Sequence, residues 1–99
     1  MYPQISLTVQ LNGDTTILVD IRLTTHAKER QVEYGLAQEW IEAAVLSPDW
    51  TTADPVQPRV TRSFKRIAER DGRVLRVAHR PDAGGVLVLS AFFDRGAKS

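Results

Sequence analysis

Apolar and polar residues alternate at the start of this chain. Ile5, Leu7, Val9 and Leu11 are interleaved with Ser6, Thr8 and Gln10, the two-residue period of a half-buried strand. Alternation resumes with Ile17, Val19, Ile21 and Leu23, after Asn12-Gly13-Asp14, where Asn and Gly accept positive φ at little cost. The pattern predicts a β-hairpin with one apolar face. Thr24 or Thr25 can then cap a helix over His26–Tyr34, which Gly35 stops in the left-handed conformation that suits glycine. Leu36, Trp40, Ile41, Ala44 and Val45 recur at helical spacing, with Gln38, Glu39 and Glu42 on the other face, and Ser47-Pro48-Asp49 ends this second helix. Residues 49–58, with Pro55 and Pro58, read as a surface loop.

The remainder reads as strand. Residues 60–69 form a weakly patterned strand, Asp71-Gly72 a tight turn and Val74–His79 a second strand. A loop over residues 80–85 follows, and then Val86–Phe93, which is apolar on both faces as a central strand would be. The predicted order is ββααβββ, an α+β fold with two helices packed on one antiparallel sheet in a single domain over residues 1–99.

Charge adds what hydropathy hides. The net charge of the 99 residues is +1, but residues 1–58 carry −5 and residues 59–99 carry +6. This asymmetry suggests an acidic body, a basic surface and an anionic partner. No cysteine is present, which excludes disulfides, thiol nucleophiles and thiolate metal sites. Two histidines do not complete a three-histidine zinc site, and there is no glycine-rich phosphate loop, so neither metal nor cofactor is expected. No apolar run approaches the roughly 20 residues of a membrane helix, and the N-terminus lacks the basic leader and long apolar stretch of a signal peptide. The expectation is a small soluble cytoplasmic domain without a membrane partner.

Three groups of residues could carry chemistry. His26, Arg30 and Tyr34 stand at i, i+4 and i+8 on one helical stripe, where an imidazole, a guanidinium and a phenol could handle a proton and a phosphate. By spacing alone the plainer reading is preferred: a solvated His26, Arg30 paired with a carboxylate, and Tyr34 in the core. The second group is the run Arg59, Arg62, Lys65, Arg66, Arg70, Arg73, Arg76 and Arg80, eight cations in 22 residues, opposed locally by Glu69 and Asp71. Folded through Asp71-Gly72 these cations gather on one region of sheet. Cross-strand repulsion then requires an acidic counterpart, either aspartate and glutamate from the first half or a phosphate-bearing partner. Binding of a partner is the preferred reading. The third is His79 beside Arg80 at a strand end, where a second histidine would suit RNA cleavage if it approached His26.

The order of motifs carries a resemblance. A strand, Thr25-His26-Ala27-x-x-Arg30, the Gly35-Leu36 break, a helix ending Val45-Leu46-x-Pro48, then Gly72-Arg73-Val74-Leu75-Arg76-Val77 and Val88-Leu89-Ser90-Ala91-Phe92 resemble a poorly characterised family within the RelE/ParE toxin superfamily, over residues 20–95. The resemblance implies two helices on a curved antiparallel sheet. Its best understood members are mRNA ribonucleases or gyrase inhibitors neutralised by an acidic antitoxin. This chain departs from the family in having Tyr34 where members often carry a second arginine, and in the additional strand 5–11, which suggests either an extended sheet or a dimer edge, with a homodimer formed through the N-terminal hairpin. On this basis the expected function is a toxin-type mRNA endoribonuclease. His26 or His79 would move the proton, Arg30 would orient the scissile phosphate, and Arg62, Lys65 and Arg76 would stabilise the transition state. Arg66, Arg73 and Arg80 would extend the RNA surface. The alternative is a non-catalytic module of the same fold that binds an acidic protein or a nucleic acid.

Overall fold

The computed structural model describes the backbone of residues 4–11 and 15–98, with side chains from Val19 onward. The expected Asn12-Gly13-Asp14 turn lies outside the described residues. Strands β1 (Gln4–Leu11) and β2 (Thr15–Leu23) pair antiparallel in a register that puts Ile5, Leu7 and Val9 opposite Ile21, Val19 and Ile17. Helices α1 (Thr25–Glu33) and α2 (Gln38–Leu46) follow, then β3 (Trp50–Ala53), β4 (Thr61–Ile67), β5 (Arg73–Asp82) and β6 (Gly85–Phe93). Among the described residues six strands form one sheet in the order β1-β2-β6-β5-β4-β3.

Two expectations about the sheet are corrected. It has six strands rather than five, because residues 50–53 of the expected loop pair with β4 from Trp50↔Phe64 to Ala53↔Thr61. Four residues, three of them Thr or Ala, carry too little hydropathy to register as a strand. What holds them is the Trp50 ring and flanking backbone bonds, Asp49 N–H to the Phe64 carbonyl (2.8 Å) and Asp54 N–H to the Val60 carbonyl (2.9 Å). The sheet is also mixed rather than antiparallel. After β2 the chain crosses one face through both helices, reaches the far edge at β3 and returns strand by strand, so that β6 lies parallel to β2.

Local chemistry sets the junctions. Thr24 is the N-cap of α1: its hydroxyl accepts from Ala27 N–H (3.1 Å) and donates to the Leu89 carbonyl (3.2 Å), tying the helix start to β6. Gly35, with φ +61°, ends α1, and Leu36 N–H returns to the Gln31 carbonyl (2.9 Å). The expected loop over 80–85 shrinks to two residues, Ala83 and Gly84, with φ of +49° and +79°. Positive φ at both central positions is what a type I′ hairpin requires.

The helices cover one face of the sheet. Ile21, Leu23, Ala27, Leu36, Ile41, Ala44, Ile67, Leu75, Val77, Val88 and Ala91 form the buried core there, with Trp40 and Phe93 against it. Each buried Leu, Ile or Val contributes about 1.5–3 kcal/mol relative to exposure. The residues that alternate with this set along the strands face away from the helices, and among them Phe64, Ala78 and Leu87 are nevertheless buried. Cations and Trp50 supply their cover.

Candidate anion-binding surface

Cross-strand register builds a row over the helix-free face. Phe92 of β6 stands opposite Arg76 of β5, Arg76 opposite Phe64 of β4, and Phe64 opposite Trp50 of β3. The Arg76 guanidinium lies over the Phe92 ring at 4.9 Å, Trp50 and Phe64 stack at 5.0 Å with 7° between planes, and Arg66 lies over Trp50 at 5.0 Å. A guanidinium over an aromatic face is attracted by the ring quadrupole and shields apolar surface with its stem. On the next register positions Arg62 stands opposite Ala78 and Thr52, and Leu87 stands between Arg22 and Arg80.

Most of these cations already have an anion. Arg22 pairs with Asp82 (3.1 Å) and also donates to the Asp82 carbonyl, Arg62 pairs with Asp54 (3.3 Å), Arg76 with Asp94 (3.1 Å) and Arg80 with Asp82 (3.9 Å). On the helix side, Lys65 donates to the Ser47 carbonyl (2.8 Å) and lies 3.8 Å from Asp49. Backbone N–H groups of Gln57 and Val56 hold the Asp54 carboxyl below the ordinary carboxylate range, and Arg62 adds to the effect. The carboxylates therefore come from strand ends and loops (Asp49, Asp54, Asp82, Asp94), not from the acidic helices.

Among the described residues Lys28, Arg59, Arg66, Arg70, Arg73, Arg95 and Lys98 form no ion pair, and four of these, Arg66, Arg70, Arg73 and Arg95, lie toward the end of the sheet where β4 turns into β5. Register brings these four together: Ile67 opposes Arg73, Arg66 opposes Val74, Leu75 opposes Phe93, and Asp94 N–H bonds to the Val74 carbonyl (2.9 Å). Arg70, in the short 3-10 turn before Asp71-Gly72, donates to the Gly35 carbonyl (3.2 Å) and lies over both Trp40 (5.2 Å) and Phe93 (5.7 Å). Arg73 lies over Phe93 at 5.6 Å. Four arginines thus share this end with Glu69 and Asp71, a local surplus of positive charge divided between the two faces: Arg66 lies over Trp50 on the helix-free face, and Arg70 and Arg73 over Phe93 on the helix side. Between the turn and the segment after β6 is a half-open cavity of about 360 Å³ lined by Gly72, Arg73, Val74, Phe93, Asp94, Arg95 and Ala97.

The four candidate catalytic residues are distributed over both sides of the sheet. His26 is exposed in the first turn of α1 and makes no side-chain hydrogen bond or ion pair among the described residues. Arg30 pairs with Glu33 (2.5 Å) and lies over Tyr34 at 5.9 Å, and Tyr34 is exposed rather than in the core. His79 stands opposite Thr61 and Val88 on the helix side, and its Nε2 is 2.7 Å from Ser63 Oγ. Burial pushes the His79 imidazole below its ordinary pKa, so it is neutral at pH 7. Ser63 and His79 have the spacing of a nucleophile and base, but Ser63 is 1% exposed, so its hydroxyl cannot meet a substrate. Arg76 lies on the opposite face, and the sheet stands between it and His79.

The expectation that the cations gather on one region of sheet holds in part. Arg62, Arg66, Arg76 and Arg80 share the helix-free face, whereas Lys65 and Arg73 alternate onto the helix side and Arg59 and Arg70 lie outside the strands. The aspartate partners and the Trp50–Phe64 stack are not legible in the sequence. One signal was present: Asp49, Asp54, Asp82 and Asp94 each lie at or just beyond the end of a strand. Comparison with protein-family models, curated proteins and solved structures finds no match to this chain.

Proposed function

We propose that this protein is a non-catalytic binding module that grips a single-stranded nucleic acid, RNA in the first instance, at the end of the sheet where β4 turns into β5. The observation that carries this reading is the gathering of four arginines without ion pairs at that end. Arg22, Arg62, Arg76 and Arg80 are matched by carboxylates, while Arg66, Arg70, Arg73 and Arg95 are not. Unpaired guanidinium groups can contact phosphates in bidentate fashion, and aromatic rings and guanidinium groups at such a surface offer stacking partners to bases. Binding is preferred to cleavage because an endoribonuclease of the RelE/ParE type would need a proton-transfer residue and Arg76 at one phosphate, and His79 and Arg76 face opposite sides of the sheet.

The test is fluorescence anisotropy with a labelled RNA of about a dozen nucleotides, titrated from about 50 to 300 mM salt, with the RNA length checked afterwards. The expected result is binding whose log–log salt slope is about −0.7 per phosphate contacted, with the RNA intact. Absence of binding at low salt overturns the reading, and shortening of the RNA by wild type but not by an Arg76→Ala variant replaces it with the ribonuclease. An acidic antitoxin-like protein would compete for the same cations, and capture of such a protein without any affinity for RNA also overturns it.

A further inference from the structure

The cavity at this end has features that an open sheet surface lacks. It is bounded on one side by the Asp71-Gly72 turn and the start of β5, and on the other by residues 94–97, which fold back through Asp94 N–H to the Val74 carbonyl (2.9 Å) and Ala97 N–H to the Asp94 carbonyl (3.4 Å). Its lining includes two arginines without carboxylate partners, Arg73 and Arg95. A third, Arg70, shares the Phe93 ring with Arg73, so like charges are held close together around one wall residue. The one acid in the wall, Asp94, is already engaged: Oδ2 accepts from Arg76 Nη1 (3.1 Å) and Oδ1 from Gly96 N–H (2.9 Å). Its charge is drawn toward those donors rather than left to repel an anion. Gly72 contributes wall without side chain, and a Cβ there would meet nothing within 4 Å, so that part of the site is unobstructed.

A site of about 360 Å³ falls at the small end of the range for ligand pockets. Its cations, half-closed shape and engaged acid favour a compact, multiply charged anion over a backbone diester, which carries one charge and runs along a surface. A phosphate monoester carries about −1.5 to −2 at neutral pH and presents three acceptor oxygens, which suits paired guanidinium groups. We propose that this cavity is a receptor for a terminal phosphate monoester, on a nucleic-acid end or a free nucleotide, held by Arg73 and Arg95. The proposal rests on the nucleic-acid reading only for the source of the phosphate.

Two arms test it. In the first, short RNAs identical except for a 5′-phosphate, a 3′-phosphate or hydroxyl ends are compared by anisotropy. The expected result is at least about tenfold tighter binding of one phosphate-ended strand, a ratio that falls toward one in an Arg73→Gln, Arg95→Gln variant shown by thermal melting to be folded. In the second, the amide spectrum of the labelled protein is titrated with inorganic phosphate, a nucleoside monophosphate and the unphosphorylated nucleoside. Shifts centred on Gly72, Arg73, Arg95 and Ala97 are expected with the first two only. Equal affinity for all three strands, together with monophosphate shifts scattered over every arginine, overturns the cavity and leaves the binding reading intact. Cavity-centred shifts without affinity for any strand support the cavity, assign the ligand as a free nucleotide and overturn the nucleic-acid reading.

Discussion

Trp50 offers the sharpest test of how the helix-free face is held together. As a loop residue covering a helix end it would be dispensable. As the first residue of β3 it stacks on Phe64 at 5.0 Å and carries Arg66 at 5.0 Å on its ring. An aromatic pair contributes about 0.5–1.5 kcal/mol beyond area burial, an exposed cation–π contact about 0.5–1, and the buried part of the indole a further 1 or so. Removal also exposes Phe64, now 6% exposed. Trp50→Ala is therefore expected to cost about 3 kcal/mol, a large share of the 5–15 kcal/mol typical of a domain this size. Urea unfolding measures the loss, and with a slope of about 1–3 kcal/mol/M the midpoint falls by about 1–3 M. Hydrogen exchange localises it: the Asp49 and Asp54 amides, which bond to the Phe64 and Val60 carbonyls, become the first to lose protection. Trp50→Phe keeps the stack and is expected to lose less than about half as much. A loss under about 0.5 kcal/mol for Trp50→Ala, with both amides still protected, refutes the assignment of β3 as a tertiary strand.

Other sites give independent expectations. A Cβ at Gly85 would stand 2.9 Å from Asp20 Cβ and nearer still to the Asp20 carbonyl oxygen, so Gly85→Ala is expected to spread the parallel β2–β6 pair and cost about 1–3 kcal/mol by urea unfolding. Ala83 occupies the left-handed region at φ +49°, and Ala83→Asn, which makes an Asn-Gly type I′ turn, is expected to raise stability by about 0.5–1 kcal/mol and Tm by about 2–8 °C. Because burial lowers the His79 pKa in the fold, the unfolded chain binds more protons between that value and about 6.5. Its contribution to stability is complete above pH 6.5 and is lost as pH falls through this window, so the slope of stability against pH below 6.5 should flatten in His79→Gln.

The hairpin, both helices and the Asp71-Gly72 turn are legible in the sequence because their signals are local: alternation, a capping threonine, and residues that accept positive φ. What is not legible is pairing over long separations. Nothing in Ile21, Leu23, Val86 and Val88 says that their strands run parallel, since a strand's alternation is the same whichever way its neighbour runs. Trp50-Thr51-Thr52-Ala53 is a strand because β4 lies beside it, and its own hydropathy is silent. The charge pattern misled for a similar reason. Counting eight cations from Arg59 to Arg80 gives the total, but Asp54 and Asp94, which neutralise Arg62 and Arg76, lie outside that run.

The division between consumed and free arginines is the claim on which the functional reading stands, and two double variants of equal charge test it. Arg66→Gln, Arg73→Gln removes two unpaired cations from the strand ends that flank the β4–β5 turn, and Arg62→Gln, Arg80→Gln removes two paired cations from the same two strands farther from it. Affinity for a short single-stranded RNA at about 50 mM salt is the measurement, with folding of each variant verified by circular dichroism. The expected result is a loss of at least about tenfold for the first pair, roughly 1.4 kcal/mol, and less than about threefold for the second. Equal losses in the two, or a larger loss from Arg62 and Arg80, would contradict the account.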